Sequence, residues 1–234
     1  MSRQSRRRPC MRVGVISDVH AHLDHLERAL TILEAAGVDK LVCLGDVVEK
    51  GPQPDAVVEL IDHLHIPTVQ GNHDLNAVRH AQLEPRDRGM SWDTVAWLEA
   101  LPRSRHYTWA GKIIALAHAS LAEGYPGVRP GEVPKCMRRA LRRADPDVVL
   151  LGHTHIPIRH PRDGMVLPTD AKRPAVAAGM PEIRFRWAHH WLCNPGSIST
   201  GRCRLGPTCA VLVLPEMTLE VYSMQDGERV ELGE

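Results

Sequence analysis

Short apolar segments recur along the chain, and several are continuous rather than alternating, which is typical of strands that are covered on both faces. Segments of strand length are predicted at 13–17, 41–44, 68–70, 113–117, 148–151, 191–193, 210–214 and 219–222. Helical or loop segments separate the earlier strands, whereas the last strands lack long helical spacers. This order favours an α/β core with right-handed crossovers, followed by a C-terminal meander.

Helical periodicity fills several of the gaps between these strands. Asp24 is predicted to cap a helix that ends at Gly37, and Glu27 would complete a capping box. The apolar face of this helix comprises Leu26, Ala29, Leu30 and Leu33. Further helices are predicted at 53–64, 92–101 and 135–145.

Two stretches lack a regular pattern. The stretch 159–190 is rich in Pro, Gly and Ala, which predicts an extended surface loop or an inserted hairpin. Residues 1–10 are basic and no apolar signal-peptide segment follows them, so they are predicted to form a disordered tail. A nucleic-acid-binding arm is the less favoured interpretation of their arginines. No segment reaches transmembrane length, and residues 11–234 are expected to form a single domain.

The composition suits a soluble globular protein, with 234 residues of which 43% are hydrophobic and 24% charged. A net charge of +1 gives the protein no overall electrostatic attraction to nucleic acid or to an anionic membrane. Nucleic acid is therefore a possible partner, but the sequence gives no indication of it. The 6 Cys include no C-x-x-C pair, which predicts free thiols in a reducing cytoplasm. The 14 His are many for this length and prompt a search for a metal site.

Metal-competent side chains follow the apolar segments at the points where the predicted strands end. Asp18 and His20 follow the first strand, and Asp46 follows the second. The later strands are followed by Asn72, His73, Asp74, His118, His153 and His155. Because ligands of α/β sheets bind at the carboxyl ends of the strands, these side chains are expected to converge on one place.

The residue types in this set narrow the choice of metal ion. Carboxylates, imidazoles and one amide suit Mn²⁺, which we expect first, or Fe, Zn²⁺, Co²⁺ or Ni²⁺. The set offers more ligands than one catalytic ion with an open position can use, which favours two divalent ions that share a carboxylate, about 3.5–4 Å apart. The positive charge of two such ions exceeds the negative charge of Asp18 and Asp46, so the site is expected to attract a phosphate ester.

The order and spacing of these motifs resemble a known family. Asp18-Val19-His20, Gly45-Asp46, Gly71-Asn72-His73-Asp74, His118 and Gly152-His153-Thr154-His155 are similar to the metal-binding segments of the calcineurin-like metallophosphoesterase superfamily. Within it, "GDVVEKGPQPDAVVELI", "VQGNHDLNAV", "GHTHIP" and "NPGSIS" resemble the small bacterial and archaeal phosphodiesterase branch. The motifs together are a specific signal, whereas any one of them alone is weak.

The resemblance implies a four-layer α/β/β/α sandwich and hydrolysis of phosphate esters by attack of a metal-bound hydroxide. It implies one ion bound by Asp18, His20, Asp46 and His155. It implies a second ion bound by Asp46, Asn72, His118 and His153, so that Asp46 bridges the pair. His73 would stabilise the transition state or protonate the leaving oxygen without binding metal, and Asp74 would orient its ring.

The chain departs from the family pattern in places that affect the substrate. His22 stands where the family often has Asn, and Glu49-Lys50 stands where protein phosphatases and dinucleoside polyphosphatases carry Asp-Arg. The sequence therefore predicts a phosphodiesterase with a dinuclear metal centre. A phosphomonoesterase acting on phosphoprotein, nucleotide or dinucleoside polyphosphate is the first alternative, and a non-catalytic interaction scaffold is the second. The physiological substrate and the oligomeric state do not follow from the sequence.

Overall fold

A computed structural model of the chain describes residues 10–83, 89–119, 135–157, 185–187, 190–201 and 205–230. Its first half contains β1 (Met11–Ile16), α1 (Leu23–Ala35), β2 (Lys40–Cys43), α2 (Pro54–His63), α3 (Asn72–Leu83), α4 (Trp92–Ala100), β3 (Ser104–Trp109) and β4 (Lys112–Ala117). Its second half contains α5 (Lys135–Ala144), β5 (Val148–Leu150), β6 (Phe185–Trp187), β7 (His190–Cys193), β8 (Thr208–Leu214) and β9 (Thr218–Ser223).

Two sheets form the centre of the fold. The first sheet has the strand order β2-β1-β8-β9, and the second has the order β3-β4-β5-β7-β6. β1 and β2 are parallel and are connected through α1, whereas β4 and β5 are parallel and are connected through α5. Parallel neighbours require a crossover, which explains why helical periodicity separates these pairs in the sequence. β8 and β9 pair antiparallel, as the predicted meander requires.

Aliphatic side chains fill the space between the two sheets. Val15 and Val42 from the first sheet are fully buried there with Leu116 and Leu150 from the second. The opposite face of the first sheet packs against helices, in a cluster that includes Ile16, Leu26, Ile61, Leu98 and Val211. β1 is therefore buried on both faces, which is why its apolar run is continuous. The single-domain α/β sandwich that the sequence predicts is confirmed.

The start of α1 differs from the prediction. The capping box of Asp24 and Glu27 is wrong, because His22 occupies the N-cap position and makes no side-chain cap hydrogen bond. Asp24 lies in the first helical turn, at the second helical residue after this N-cap. A carboxylate in that turn interacts favourably with the positive end of the helix dipole. This interaction explains why an acidic residue is favourable there even though it makes no capping hydrogen bond.

Other differences lie at sheet edges. β3 is the edge of the second sheet, and its sequence SRHYTW carries no continuous apolar signal because its burial is only partial. The predicted strand at 68–70 reduces to an isolated bridge between Thr68 and Cys43. β6 falls inside the stretch 159–190 and pairs antiparallel with β7. Residues 158–184, 188–189 and 1–9 lie outside the described residues, so the predicted tail and domain boundaries stay predictions.

None of the described helices is long and apolar enough to cross a membrane.

Candidate metal centre

The carboxyl ends of four strands from both sheets meet at one edge of the sandwich. Asp18 and His20 follow β1, Asp46 follows β2, His118 follows β4, and the pair His153 and His155 follows β5. Backbone hydrogen bonds connect these loops, from the Asp18 N–H to the Gly45 carbonyl (3.0 Å) and from the Gly152 N–H to the His118 carbonyl (2.7 Å). These loops therefore meet at the carboxyl ends of the strands, as the sequence predicts.

The predicted ligands lie in two groups that share one carboxylate. The ligand atoms of Asp18, His20, Asp46 and His155 lie within 4.8 Å of one another, and so do those of Asp46, His118 and His153. Asn72 joins the second group, since its Oδ1 lies 2.7 Å from His153 Nδ1. The structure thus brings together every residue that the sequence predicts as a ligand, and coordination itself stays a prediction.

Three imidazoles are oriented with Nε2 towards the centre. In each of them Nδ1 faces a backbone carbonyl, as the outer nitrogen of a metal-bound histidine commonly does. The carbonyls belong to Leu44 for His118 (2.7 Å), Thr200 for His155 (3.1 Å) and Val48 for His20 (3.4 Å). Nε2 of His118 then lies 3.0 Å from Asp46 Oδ2, and Nε2 of His155 lies 3.0 Å from Asp18 Oδ1.

One carboxylate oxygen in this centre lacks a hydrogen bond. Asp18 Oδ1 is buried and has no hydrogen-bond partner in the described part of the chain, although the His155 ring is near. Leaving a buried carboxylate oxygen unpaired is costly, and a cation between it and the imidazole removes that cost. The oxygen and nitrogen donors here therefore fit divalent metal ions.

Buried charges in the centre depend on one another. Burial opposes the ionisation of Asp18, but the His155 and His118 imidazoles outweigh it and lower the pKa of this carboxyl. Burial likewise opposes the ionisation of Asp46, and His118 outweighs it and lowers that pKa. For His118, burial disfavours the protonated form, yet Asp46 and then Asp18 raise its pKa to about 9. A divalent cation can replace the proton that such groups share.

The backbone at this edge is unusual for residues with side chains. φ is +56° at Asp18, +54° at His20, +53° at Asp46, +69° at His153 and +58° at His155. Such left-handed conformations cost about 1–3 kcal/mol each and persist where the surroundings enforce them, which is typical of functional sites. These conformations turn the side chains at the strand tips towards one another.

Glycines allow the loops to approach closely. A Cβ at Gly71 would collide with the Oδ1 and backbone nitrogen of Asp46, and one at Gly152 would collide with Ser17 Oγ. The glycines in the G-N-H-D and G-H-T-H motifs are therefore required by the packing of the ligand loops.

Asp74 has a different role from the predicted one. Its buried carboxylate accepts hydrogen bonds from the backbone N–H groups of Asp46 (2.9 Å), Val47 (2.8 Å), Val48 (3.1 Å) and Gly71 (2.8 Å). These bonds fix the loop that presents Asp46. The prediction that Asp74 orients the His73 ring is corrected, since the backbone amides occupy this carboxylate.

Glu49 is the carboxylate that contacts the His73 ring. Its Oε2 lies 2.5 Å from His73 Nδ1, and the ring stands edge-on to His20 with centroids 4.9 Å apart. Lys50 Nζ lies 2.9 Å from His20 Nε2. The sequence shows Glu49 and Lys50 only as a departure from the family pattern, and no spacing rule predicts their contacts.

A late loop that carries the N-P-G-S motif supports the centre. The Asn194 side-chain amide donates to the Gly152 carbonyl (2.7 Å), next to His153. The hydroxyls of Ser197 (3.1 Å) and Ser199 (2.7 Å) both donate to the Asp18 carbonyl. This loop therefore connects the ligand segments that follow β1 and β5.

The two-sheet fold and the converging oxygen and nitrogen donors define a metal-dependent phosphoesterase. The family model of the calcineurin-like phosphoesterase superfamily domain matches residues 11–217. The chain therefore belongs to the calcineurin-like phosphoesterase superfamily, and the predicted enzyme class, a metal-dependent phosphoric ester hydrolase, is confirmed.

The chain is similar to several proteins of known sequence or structure. Protein MJ0912 of Methanocaldococcus jannaschii is 27% identical over 201 residues, which are 81% of this chain and 77% of that protein. A metallophosphoesterase from Sphaerobacter thermophilus is 25% identical with a TM-score of 0.61, over 95% of this chain and 89% of the other. An archaeal phosphodiesterase shares the fold at 15% identity and a TM-score of 0.51, over 90% and 98% of the chains.

Replacing Asp74 tests its structural role. Asp74→Asn is expected to lower the free energy of unfolding of the metal-free protein by about 2–4 kcal/mol, because an amide NH₂ would face backbone donors and the charge is lost. Urea unfolding in the presence of a chelator measures the change. Glu49→Gln is the control, with an expected change below about 1 kcal/mol because Glu49 is only partly buried. Equal losses in the two variants would contradict the assignment.

Proposed function

We propose that this protein is a dinuclear metal-dependent phosphodiesterase. The observation that carries the proposal is the sharing of Asp46 by two groups of oxygen and nitrogen donors. A carboxylate has two oxygens, so one such residue can bridge two ions. Asp46 is also held in place, since its backbone N–H donates to the Asp74 carboxylate and Gly71 packs closely against it.

The donor sets indicate which residues would hold each ion. The first ion would be held by Asp18, His20, Asp46 and His155, and the second by Asp46, Asn72, His118 and His153. Mn²⁺ is the ion that we expect, with Fe, Zn²⁺, Ni²⁺ or Co²⁺ as alternatives for this mixture of donors. Bound divalent ions supply an acidified water and an electrostatic clamp for phosphoryl oxygens.

His73 is proposed to exchange a proton with the substrate. Glu49 Oε2 contacts Nδ1 of the ring, which restrains its orientation, so that Nε2 is the nitrogen that would exchange a proton with a leaving oxygen. The backbone N–H of His73 donates to Asp46 Oδ1 (2.8 Å), so the same residue is tied to the shared carboxylate. A positioned imidazole of this kind acts as a general acid in many hydrolases.

The preference for diesters rests on the charges beside the centre. Glu49 places a carboxylate next to the His73 ring, and its negative charge disfavours the additional charge of a phosphate monoester. The fold shared with an archaeal phosphodiesterase agrees with this preference. Lys50 favours the alternative, a phosphomonoesterase, because its ammonium lies close to the centre and can neutralise a further phosphate oxygen.

We also propose that the protein is located in the cytoplasm. Cys10, Cys43, Cys193 and Cys209 are free thiols, and free thiols in a protein of this size agree with a reducing compartment.

Comparison of two chromogenic esters tests the proposed substrate class. The protein reconstituted with Mn²⁺ is expected to hydrolyse bis(p-nitrophenyl) phosphate with a higher kcat/KM than p-nitrophenyl phosphate. Release of p-nitrophenolate measures both rates. The opposite order would favour the phosphomonoesterase, and no turnover with any of the candidate metals would favour the interaction scaffold.

Replacement of His73 tests its role in proton transfer. His73→Ala is expected to lower kcat for the diester by about 10²–10⁴, the usual contribution of a general acid, while the metal content stays unchanged. Turnover and metal analysis are measured on the same preparation. His80→Ala is the matched control, because His80 is an exposed histidine on the same helix. Unchanged turnover would remove His73 from the mechanism, and loss of metal would make it a ligand.

A further inference from the structure

The start of α1 carries a separate group of metal-competent side chains, outside the two groups of the metal centre. His22, Asp24 and His25 each offer one ligand atom, and these atoms lie within 4.8 Å of one another. The rings of His22 and His25 stack with centroids 5.0 Å apart and an interplanar angle of 25°. The two imidazoles and the carboxylate thus lie close together in a partly exposed position.

Within the part of the chain that the structure describes, no other polar contact explains the arrangement of these side chains. The His22 side chain makes no capping hydrogen bond although it occupies the N-cap. His25 Nε2 lies 3.8 Å from Asp24 Oδ2, which is too far for a hydrogen bond. His25 Nδ1 is inaccessible to solvent and lacks a hydrogen-bond partner within the described ranges. Hydrogen bonds among the described residues therefore do not explain why the two rings and the carboxylate lie together.

The backbone beneath the group is fixed. The Leu26 N–H donates to the His22 carbonyl (3.1 Å), and the Leu26 side chain is fully buried. His22 and His25 are three residues apart, which places their side chains on the same side of the first turn. The positive end of the helix dipole disfavours a cation here, and the Asp24 carboxylate offsets that effect.

We propose that His22, Asp24 and His25 form a third metal site, which binds a borderline divalent cation such as Zn²⁺. Two imidazoles and one carboxylate are a common zinc donor set that leaves the remaining positions to water. The same set disfavours Mg²⁺ and Ca²⁺, which prefer oxygen ligands. Because the Asp24 side chain is 76% exposed, the ion is bound less tightly than in the buried centre and exchanges more readily.

Zinc binding to the full-length protein tests this site. The double variant His22→Ala/His25→Ala is expected to bind one equivalent of Zn²⁺ fewer than the unchanged protein. Equilibrium dialysis against a buffered free Zn²⁺ concentration, followed by metal analysis, measures the number bound. The readout is a difference between two proteins, so it does not depend on how many ions the centre holds.

A matched control removes two exposed histidines elsewhere. His63→Ala/His80→Ala is expected to bind as much Zn²⁺ as the unchanged protein, because these residues lie on α2 and α3. Asp24→Asn keeps both imidazoles and is expected to weaken only the additional equivalent. Equal zinc contents in all four proteins would overturn the proposal, as would an equal loss in the control, which would indicate adventitious binding to surface histidines.

Discussion

The burial of Asp18 and Asp46 beside each other is the constraint on which the rest of the site depends. Two adjacent carboxylates repel each other, and burial removes the water that would reduce the repulsion. The imidazoles of His118 and His155 lie 3.0 Å from these carboxylates and compensate part of the charge. One oxygen, Asp18 Oδ1, still lacks a hydrogen bond among the described residues, so divalent cations are the natural counter-charge.

Much of the surrounding structure holds these two carboxylates in place. The Asp74 carboxylate fixes the backbone around Asp46 through N–H donors, and the hydroxyls of Ser197 and Ser199 bind the carbonyl of Asp18. The positive φ values at the strand tips cost free energy that such contacts and the sheets beneath must offset. These contacts restrain the ligand loops independently of a bound ion, which is the arrangement expected of a preorganised centre.

The sequence predicts the part of this site that follows from topology. Apolar strands ending in Asp, Asn or His imply convergence, because parallel strands present their carboxyl ends at one edge. The contacts of Asp74 and Glu49 could not be predicted. Asp74 adjoins His73 in the sequence, whereas Glu49 belongs to the loop after Asp46, and only the loop geometry decides which carboxylate meets the ring. β3 was not predicted because an edge strand with partial burial carries no continuous apolar pattern.

Anomalous diffraction from crystals of the Mn²⁺-loaded protein tests the shared carboxylate most directly. Data collected at the manganese absorption edge locate each ion without reference to activity. We expect two peaks about 3.5–4 Å apart, one on each side of the Asp46 carboxylate. A single peak, or two peaks that do not both contact Asp46, would contradict it.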